Sequence, residues 1–380
     1  MDKNYLERLL KKEMSRKEFM KFSALMFISI FGFAGVITEL LTHAAEPEAS
    51  QEAESGSLSG SAKIVTDTLA SGGEAVQFGT YSSGGGATYF PATDPFNAPI
   101  VANPVLHANN SVWQSKFESM FSSMDTSTLY GWPLYIASSS DPEVTCHGSY
   151  QNATFHLPPG ATPSGDSDGH LLIVEPVGVS PTHPTVVCET EIYACTVSGT
   201  TVTPGDGASP CQFNVSTTNG NDNTNIASSS PGSARGCGIC CLAGLVLEAE
   251  FLAGEIPHAL CATCSWTASG GEGVGWMYPA IISDGKTSGG IPEGARIQLD
   301  PAYDISGLTA SEQIIAKALQ VYGFYVTDST DPGENAVVFE AQVATTTNSA
   351  YSGFDEHNGN TLGGLGIWSH MRVLASWDGS

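Results

Sequence analysis

The sequence predicts a mainly β protein, with a β-sandwich or jelly-roll-like domain and about two short helices. A signal or anchor helix and a flexible spacer are expected to precede this domain. Charged residues make up only 14% of the chain, and 42 of its 380 residues are glycine. Short apolar segments bounded by turn residues recur along most of its length. Together these features favour short strands between turns over alternating strand–helix units.

The charge of the chain is strongly negative and unevenly distributed. Seven of its 14 lysines and arginines lie within the first 21 residues, whereas residues 42–380 carry 7 basic and 34 acidic side chains, a formal charge of −27. Such a surface repels phosphate backbones and argues against nucleic-acid binding. It suits a soluble extracellular protein, or one that binds neutral sugars or cations. Solubility alone is the simpler explanation.

Residues 1–45 are expected to be an export signal or a membrane anchor. The apolar run 22–38 follows a basic region, which is the layout of an export segment. Ser15–Lys21 is similar to the twin-arginine export motif, with Lys17 in place of the second arginine. Cleavage near residue 45 and a retained anchor, with its amino terminus in the cytoplasm, are both open. Either outcome places the rest of the chain outside the cell or at its surface.

Residues 46–94 are predicted to be an acidic spacer rich in Gly and Ser, a composition typical of flexible segments. Two parts are more specific: Glu52–Gly56 reads EAESG, and Ser71–Phe78 reads SGGEAVQF. They resemble the opening strands of β-sandwich carbohydrate-binding modules. Because the segment is too short for a complete module, we interpret it as a fragment or a small strand pair.

Residues 95–380 are predicted to form the β-rich extracellular domain. Helical spacing of aromatic residues predicts a first helix near Ser111–Phe121. A second helix begins after Thr309, which forms a capping box with Glu312, and stops at Gly323. The predicted strands are Leu134–Ala137, Leu171–Glu175, Val186–Tyr193, Leu245–Phe251, Arg296–Leu299, Phe324–Val326 and Ala336–Glu340.

Nine cysteines leave two interpretations open. Cys237 and Cys240, followed by Cys261 and Cys264, have the spacing of a four-thiolate zinc site. Behind an export signal, an oxidising compartment favours disulfides instead, and disulfides are the preferred expectation. The odd number leaves at least one thiol free or paired with another chain.

Two acid–histidine pairs are the first candidate catalytic residues. Asp168 and His170 lie just before the strand Leu171–Glu175, and Glu255 and His258 lie in a turn after a hydrophobic segment. A carboxylate beside an imidazole can form an oriented base or part of a metal site. The alternative is that these side chains cap turns and bond to the backbone.

Further candidates complete the predicted site. Asp300 is a third possible catalytic carboxylate, and Arg296, Trp276 and Tyr278 are candidates for substrate binding. A structural ion pair between Arg296 and Asp300 or Glu293 is the alternative. No nucleophile elbow, HExxH motif, Walker loop or Rossmann glycine pattern occurs in the sequence.

Several sequence blocks follow one another in a fixed order between residues 95 and 377. They are YGWPLY at 130–135, LPPGA at 157–161, SDGHL at 167–171, GEIPHAL at 254–260, YPA at 278–280, IPEGARIQLD at 291–300 and YG at 322–323. This order resembles a family of secreted, largely uncharacterised bacterial proteins. The chain departs from that family in Tyr278, where tryptophan is usual, and in its cysteines between 237 and 264.

The resemblance implies an extracellular, strand-rich domain and no settled activity. It singles out Asp168, His170, His258, Arg296 and Asp300 as residues to test. The leading hypothesis is an exported surface or secreted protein that engages carbohydrate, with glycan cleavage by a glycoside hydrolase or polysaccharide lyase as its catalytic form. A non-catalytic adhesion domain is the alternative. No cofactor is expected, although a structural Ca²⁺ or Zn²⁺ is compatible with the sequence, and the expected partner is a carbohydrate or cell-surface glycan.

Overall fold

The computed structural model describes residues 63–66, 74–77, 89–215, 233–269, 275–331, 333, 335–345, 351, 354 and 367–380. The chain divides into two units, residues 1–81 and 82–380. The predicted signal or anchor lies outside the described residues. Within the ranges given above, no helix is both long and apolar enough to cross a membrane.

The described part of the first unit is one pair of short strands. β1 (Lys63–Thr66) and β2 (Glu74–Gln77) run antiparallel, with Ile64 opposite Val76. β2 belongs to the segment that resembles the start of a carbohydrate-binding module. β1 lies outside both parts singled out in the sequence, so the observed pair overlaps the predicted fragment only in β2.

The second unit contains the remaining described elements, in which strands dominate over helices. The strands are β3 (Phe121–Asp125), β4 (Leu134–Ile136), β5 (Glu143–His147), β6 (Asn152–His156), β7 (Leu171–Glu175), β8 (Cys188–Ile192), β9 (Thr196–Ser198), β10 (Thr201–Thr203), β11 (Cys211–Asn214), β12 (Leu260–Cys264), β13 (Arg296–Leu299), β14 (Phe324–Ser329), β15 (Ala336–Glu340) and β16 (Met371–Val373). The helices are α1 (Asn110–Phe117), α2 (Glu248–Ala253) and α3 (Ala310–Val321), with a short 3-10 helix at Trp368–His370. The chain is mainly β, as predicted.

Two sheets organise the second unit. The larger has six strands in the order β16-β13-β14-β12-β15-β3, and the smaller has four in the order β11-β8-β7-β4. Both are mixed: β12 runs parallel to β14, β15 to β3, and β4 to β7, whereas the other pairs are antiparallel. The hairpins β5-β6 and β9-β10 form two further sheets of two strands each.

Alternating side chains along the strands build hydrophobic cores on both faces of the six-stranded sheet. On β14, Phe324 and Val326 join the core beneath the helices, whereas Tyr325 points to the opposite face. Tyr325 shares that second core with Val174 and Phe213 of the four-stranded sheet. Because successive residues of a strand point to opposite faces, this pattern packs the two sheets together as layers.

The clearest sequence signals are confirmed. The predicted strands Leu171–Glu175, Arg296–Leu299 and Ala336–Glu340 have the bounds of β7, β13 and β15. At the start of α3, the side chain of Thr309 accepts a hydrogen bond from the Glu312 amide, and Glu312 accepts one from the Thr309 amide. The capping box therefore forms as its spacing requires.

One predicted strand is wrong, and one predicted helix is too long. Leu245–Phe251 was expected to be a strand, but α2 occupies Glu248–Ala253. Glu250 accepts a hydrogen bond from the Leu247 amide at the start of this helix, and Gly254 ends it with a φ of 88°. These are helix-terminus signals that an apolar run conceals. The first helix ends at residue 117, and Phe121 instead begins β3.

Candidate functional site

A cleft of about 930 Å³ opens between the six-stranded and four-stranded sheets. Glu191 of β8 lines it on one side, and Asp328 of β14 and Glu340 of β15 line it on the other. The acidic residues in its lining are Asp125, Asp166, Asp168, Glu191, Asp284, Asp328 and Glu340. Among the described lining residues there is one arginine, Arg235, and no lysine. The cleft is therefore strongly acidic.

Three aromatic rings in contact form one wall of the cleft. The His170 imidazole lies over Trp132 with ring centroids 4.0 Å apart and planes 22° apart. Tyr193 meets His170 edge to face at 5.7 Å. Aromatic rings prefer these offset and edge-on arrangements. The Arg235 guanidinium lies 5.7 Å from the Trp132 ring and extends the wall inward as a cation–π contact.

The loop before β7 places the predicted pair Asp168 and His170 in this wall. Asp166 accepts hydrogen bonds from the Ser164 hydroxyl and the Gly169 amide, and the Ser164 hydroxyl also accepts one from the His170 amide. Gly169 has a φ of 47°, a conformation that glycine adopts without strain. The loop is therefore held by its own polar side chains.

Asp168 and His170 share a cleft but do not form a direct catalytic pair. The Asp168 carboxylate accepts a hydrogen bond from the Tyr193 hydroxyl at 3.2 Å. His170 is almost fully buried, and its Nδ1 has no hydrogen-bond partner among the described residues. Burial lowers the pKa of His170 against the opposing effect of Asp168 and Asp166. The imidazole is therefore neutral near pH 7.

Three tyrosines expose their rings at the cleft. Tyr130, Tyr150 and Tyr193 retain 40%, 84% and 42% of their accessible surface. Tyr193 is additionally fixed by its hydrogen bond to Asp168. A tyrosine offers an apolar face and a polar hydroxyl at its edge, a combination that suits ligands with both apolar and polar surfaces.

Arg235 closes the inner end of the cleft with a buried ion pair. Its Nε donates to Glu340 Oε2 at 2.8 Å, and its Nη1 donates to the backbone carbonyls of Cys240 and Ala243. The other Glu340 oxygen accepts a hydrogen bond from the Thr327 hydroxyl at 2.8 Å. Four of the five N–H groups of this arginine donate to Glu340 and to backbone carbonyls, and the Glu340 carboxylate balances its charge, so it is poorly placed to receive an anionic ligand.

Asp284 and Asp328 approach each other closely at the cleft, around Gly236. A Cβ placed on Gly236 would lie 2.5 Å from Asp284 Oδ1 and 3.0 Å from Asp328 Oδ1, so the two oxygens are no farther apart than the sum of these distances. Asp328 accepts hydrogen bonds from the Gly236 and Ser329 amides. Burial and the neighbouring Asp284 raise the pKa of Asp328 to about 8.

Glu293 lies against Asp284 and is fully buried. Its carboxyl group hydrogen-bonds to Asp284. Burial, with Asp284 and Asp328 as neighbours, raises the pKa of Glu293 to about 10. In the absence of a counter-charge this carboxyl group is protonated at neutral pH.

A second buried acidic cluster lies deeper between the sheets. Ligand atoms of Glu189, Glu191 and Cys241 all lie within 4.8 Å of one another, the one such group of three among the described residues. Glu189 and Glu191 accept hydrogen bonds from the backbone amides of Ala234, Cys241 and Leu242. Burial and Glu191 hold the pKa of the Cys241 thiol well above its usual range. The group offers two carboxylate oxygens and one thiol to a metal ion, whereas the backbone amides that bind the carboxylates and the nearby Arg235 charge stabilise it without one.

The second predicted acid–histidine pair is not in the cleft. His258 is buried, with Nδ1 2.9 Å from the Ala259 carbonyl and Nε2 3.0 Å from Glu250 Oε2. Glu255, its predicted partner, is exposed and does not line the cleft. The true partner is Glu250 within α2, and this contact joins α2 to the segment just before β12. We assign His258 a structural role.

Arg296 and Asp300 also lie outside the cleft lining. Arg296 is fully buried and donates to the backbone carbonyls of Tyr322, Trp377 and Ala98. Those carbonyls take the place of the predicted ion pair, and the guanidinium lies 5.2 Å from the Tyr325 ring. Asp300 instead accepts a hydrogen bond from the Ala302 amide and lies 3.9 Å from Arg372. The substrate-binding role predicted for Arg296 has no geometric support.

The two predicted aromatic substrate contacts are exposed elsewhere on the surface. Tyr278 packs edge to face on Trp377, and Trp276 pairs with Glu293 through a β-bridge. Neither residue lines the cleft. Of the three tyrosines that do line it, Tyr130 and Tyr193 belong to sequence segments already singled out and Tyr150 belongs to none; the role of all three was missed.

The nine cysteines are buried, and no disulfide joins any two of them in the structure. The geometry of the four residues with zinc-ligand spacing can be compared directly with the predicted site. Cys237, Cys240 and Cys261 belong to the core between the sheets, whereas Cys264 belongs to the core beneath the helices. Cys261 and Cys264 are three residues apart on β12, so their side chains point to opposite faces of the sheet. Four thiolates therefore cannot converge on one ion.

Comparison with protein-family models, characterised proteins and solved structures finds no match to this chain. The resemblance to secreted bacterial proteins therefore rests on the ordered sequence blocks alone. The function has to be argued from the cleft itself.

Proposed function

We propose that the chain is an exported surface or secreted protein whose cleft binds a glycan. The exposed rings of Tyr130, Tyr150 and Tyr193 would stack against sugar rings. Carboxylates beside them, Asp168 first among these, would accept hydrogen bonds from sugar hydroxyl groups. Aromatic faces combined with a few placed polar groups are the usual means of fixing a polar ring in a cleft.

The charge of the cleft restricts the kind of glycan. Its carboxylates outnumber its cationic side chains, and Arg235 is already paired with Glu340. A sulfated or uronic-acid polymer would meet repulsion without a free cation to receive it. Neutral or amino-bearing glycans are the ligands that this cleft favours.

The observation that carries the proposal is the meeting of exposed tyrosines and carboxylates on one open cleft. The short upstream segment that resembles a carbohydrate-binding module supports it independently. Binding without cleavage is the form favoured by the geometry, because Glu255, His258 and Asp300 of the predicted catalytic set lie outside the cleft. The proposal therefore combines the two hypotheses drawn from the sequence, a protein that engages carbohydrate and a non-catalytic surface domain.

Calorimetric titration with neutral hexasaccharides tests the proposal. Cello-, xylo-, manno- and chito-oligosaccharides serve as probes, together with the de-N-acetylated chito-oligosaccharide. The Tyr150→Ala and Tyr193→Ala variants each remove one exposed ring, and a weakening of roughly tenfold per ring is expected for any probe that binds. Tyr278→Ala removes a ring of similar exposure, 44%, outside the cleft and should leave affinity unchanged.

The proposal fails if no probe binds, or if Tyr278→Ala weakens binding as much as Tyr193→Ala. Analysis of the same mixtures for shortened oligosaccharides separates binding from cleavage. Release of products would extend the proposed function to glycan hydrolysis or elimination, with new catalytic residues to be found among the cleft carboxylates.

A further inference from the structure

Tyr193 lies where carboxylates from both walls of the cleft act on one ligand-facing ring. Asp166 and Asp168 belong to the loop before β7 of the four-stranded sheet, whereas Asp328 belongs to β14 of the six-stranded sheet. Asp168 accepts a hydrogen bond from the Tyr193 hydroxyl, and the Tyr193 ring remains 42% exposed. Burial, together with the charges of these three aspartates, raises the pKa of that hydroxyl. The exposed ring therefore lies in a negative potential contributed by both sheets.

The described lining of the cleft offers no free counter-charge at this point. Its one arginine, Arg235, is paired with Glu340, and it contains no lysine. Burial and the neighbouring carboxylates of Asp284 and Glu340 raise the pKa of Asp328 to about 8, because like charges disfavour the ionised form. A cationic group on a ligand would relieve this repulsion.

His170 is a buried polar group in the same wall that lacks a partner. It keeps 9% of its accessible surface, and its Nδ1 makes no hydrogen bond to a described residue. Trp132 holds one face of the ring, and Tyr193 meets it edge to face. A buried N–H without an acceptor is rarer in proteins than a bare acceptor atom, so we assign the single proton of this neutral imidazole to Nε2.

The assigned proton gives the cleft a neutral hydrogen-bond donor beside its carboxylates. Nε2 of His170 bonds to no described residue and, unlike Nδ1, is not shut off from the cleft that His170 lines. An N–H donor in this position requires an acceptor oxygen on the ligand. A simple ammonium compound has no such acceptor, whereas a sugar hydroxyl accepts from one neighbour and donates to another.

Three features of one wall thus require three different chemical groups. The exposed tyrosine rings suit the face of a sugar ring, the His170 N–H suits a hydroxyl oxygen, and the unbalanced aspartates suit a positive charge. A sugar that carries hydroxyl groups together with a protonated amino group meets all three requirements.

We propose that the cleft selects glycans built from amino sugars with free, protonated amino groups. The ammonium group would lie between Asp168 and Asp328, and His170 would donate to a neighbouring hydroxyl oxygen. This inference rests on the proposed glycan binding and narrows its ligand class. N-acetylation removes the positive charge but leaves the ring and its other hydroxyl groups, so the acetylated polymer is the sharpest comparison.

Calorimetric titration of the full chain with three β-1,4-linked hexasaccharides tests the proposal. Those of glucosamine, N-acetylglucosamine and glucose differ only in the group at C2 of each sugar. At neutral pH the glucosamine hexamer should bind about tenfold more tightly than either of the others. This preference should shrink between about 20 mM and about 500 mM salt, because screening weakens its electrostatic part.

Three variants separate recognition of charge from recognition of hydroxyl groups. Asp168→Asn removes one charge and keeps an oxygen for the Tyr193 hydroxyl, so the preference for glucosamine over N-acetylglucosamine should fall about threefold or more. His170→Phe keeps an aromatic ring against Trp132 but loses the N–H, and it should weaken binding of both hexamers by similar factors. Glu255→Gln, at an exposed position outside the cleft, is the matched control and should keep the affinities of the parent. An unchanged circular dichroism spectrum verifies the fold of each variant.

The outcomes distinguish this inference from the proposed function. Equal affinity for the three hexasaccharides would overturn the selection of amino sugars and leave glycan binding in place. Binding of none of them would overturn both. A tri-lysine peptide bound as tightly as the glucosamine hexamer would show that charge alone is recognised, and would also overturn the inference.

Discussion

Replacement of His258 by alanine provides the most exact test of the packing beside α2. Both ring nitrogens face acceptors, because Nδ1 lies 2.9 Å from the Ala259 carbonyl and Nε2 lies 3.0 Å from Glu250 Oε2. A ring that donates from both nitrogens carries a positive charge. Burial opposes this charge, but the Glu250 carboxylate outweighs it, so the pKa of His258 is raised above 6.5.

The expected loss of stability depends on how Glu250 is left in the variant. His258→Ala leaves that carboxylate buried without its cation, and removal of one partner from a buried pair costs about 3–5 kcal/mol. Because the folded pKa of His258 is raised, its contribution to stability is complete below 6.5 and is lost as the pH rises through the folded value. The loss caused by His258→Ala should therefore be larger at about pH 6 than at about pH 9.

Urea unfolding, followed by tryptophan fluorescence at both pH values, measures this difference. Glu250→Gln and the double variant complete a double-mutant cycle, in which a coupling free energy on the order of 2 kcal/mol is expected at the lower pH. A loss below about 1 kcal/mol, the size of an exposed pair, would refute the reasoning. A loss that does not change with pH would show that the ring is neutral in the folded protein.

Three further predictions concern the core and the thiols. Glu340→Gln leaves the buried Arg235 guanidinium without its carboxylate and should lower the free energy of unfolding by about 3–5 kcal/mol, read from the urea midpoint. As a comparison, Gln320→Glu changes the charge at a buried position of α3 outside the cleft and tests whether any change of buried charge has the same effect. Gly294→Ala introduces a Cβ that overlaps the Met277 carbonyl at a residue with a φ of 80°, and should cost roughly 3 kcal/mol or more, against no more than about 1 kcal/mol for Gly307→Ala, which meets open space. In denaturant without reductant, thiol titration should count nine groups, and a count lower by an even number would restore the disulfide interpretation.

The fold could be predicted where a local signal was sufficient. Thr309 and Glu312 satisfy each other's backbone amides without help from the rest of the chain, so α3 was readable from its spacing. The strand Leu171–Glu175 is buried along its whole length, and its apolar run was equally clear. Leu245–Phe251 was misread because apolar content does not distinguish a buried strand from a short buried helix.

The candidate site was predictable only in its contiguous part. Asp168 and His170 lie two residues apart and were found together. Arg235, Asp284 and Asp328 come from separate segments that only the two sheets and their loops bring together. The spacing of these residues along the chain does not indicate that they lie close together in the fold. The one signal that could have pointed to Arg235 is the scarcity of basic residues after residue 42, and it was not used.

Some charged and reactive side chains were predicted to be functional, although their burial gives them structural roles. Arg296 and His258 were candidates for substrate contact and catalysis, but their donors are taken by backbone carbonyls and Glu250. Cys261 and Cys264 had zinc-ligand spacing, yet a strand separates their side chains to opposite faces. Only the backbone conformation of each segment distinguishes a converging motif from a diverging one.

Hydroxyl-radical footprinting, read by mass spectrometry, tests glycan binding in the cleft most directly. The chain is oxidised with and without the tightest-binding oligosaccharide from the calorimetric panel. The account predicts protection of Tyr130, Tyr150 and Tyr193, with no change at Tyr278, which is equally open to solvent but lies outside the cleft. Protection of Tyr278 with the three cleft tyrosines unchanged would contradict it.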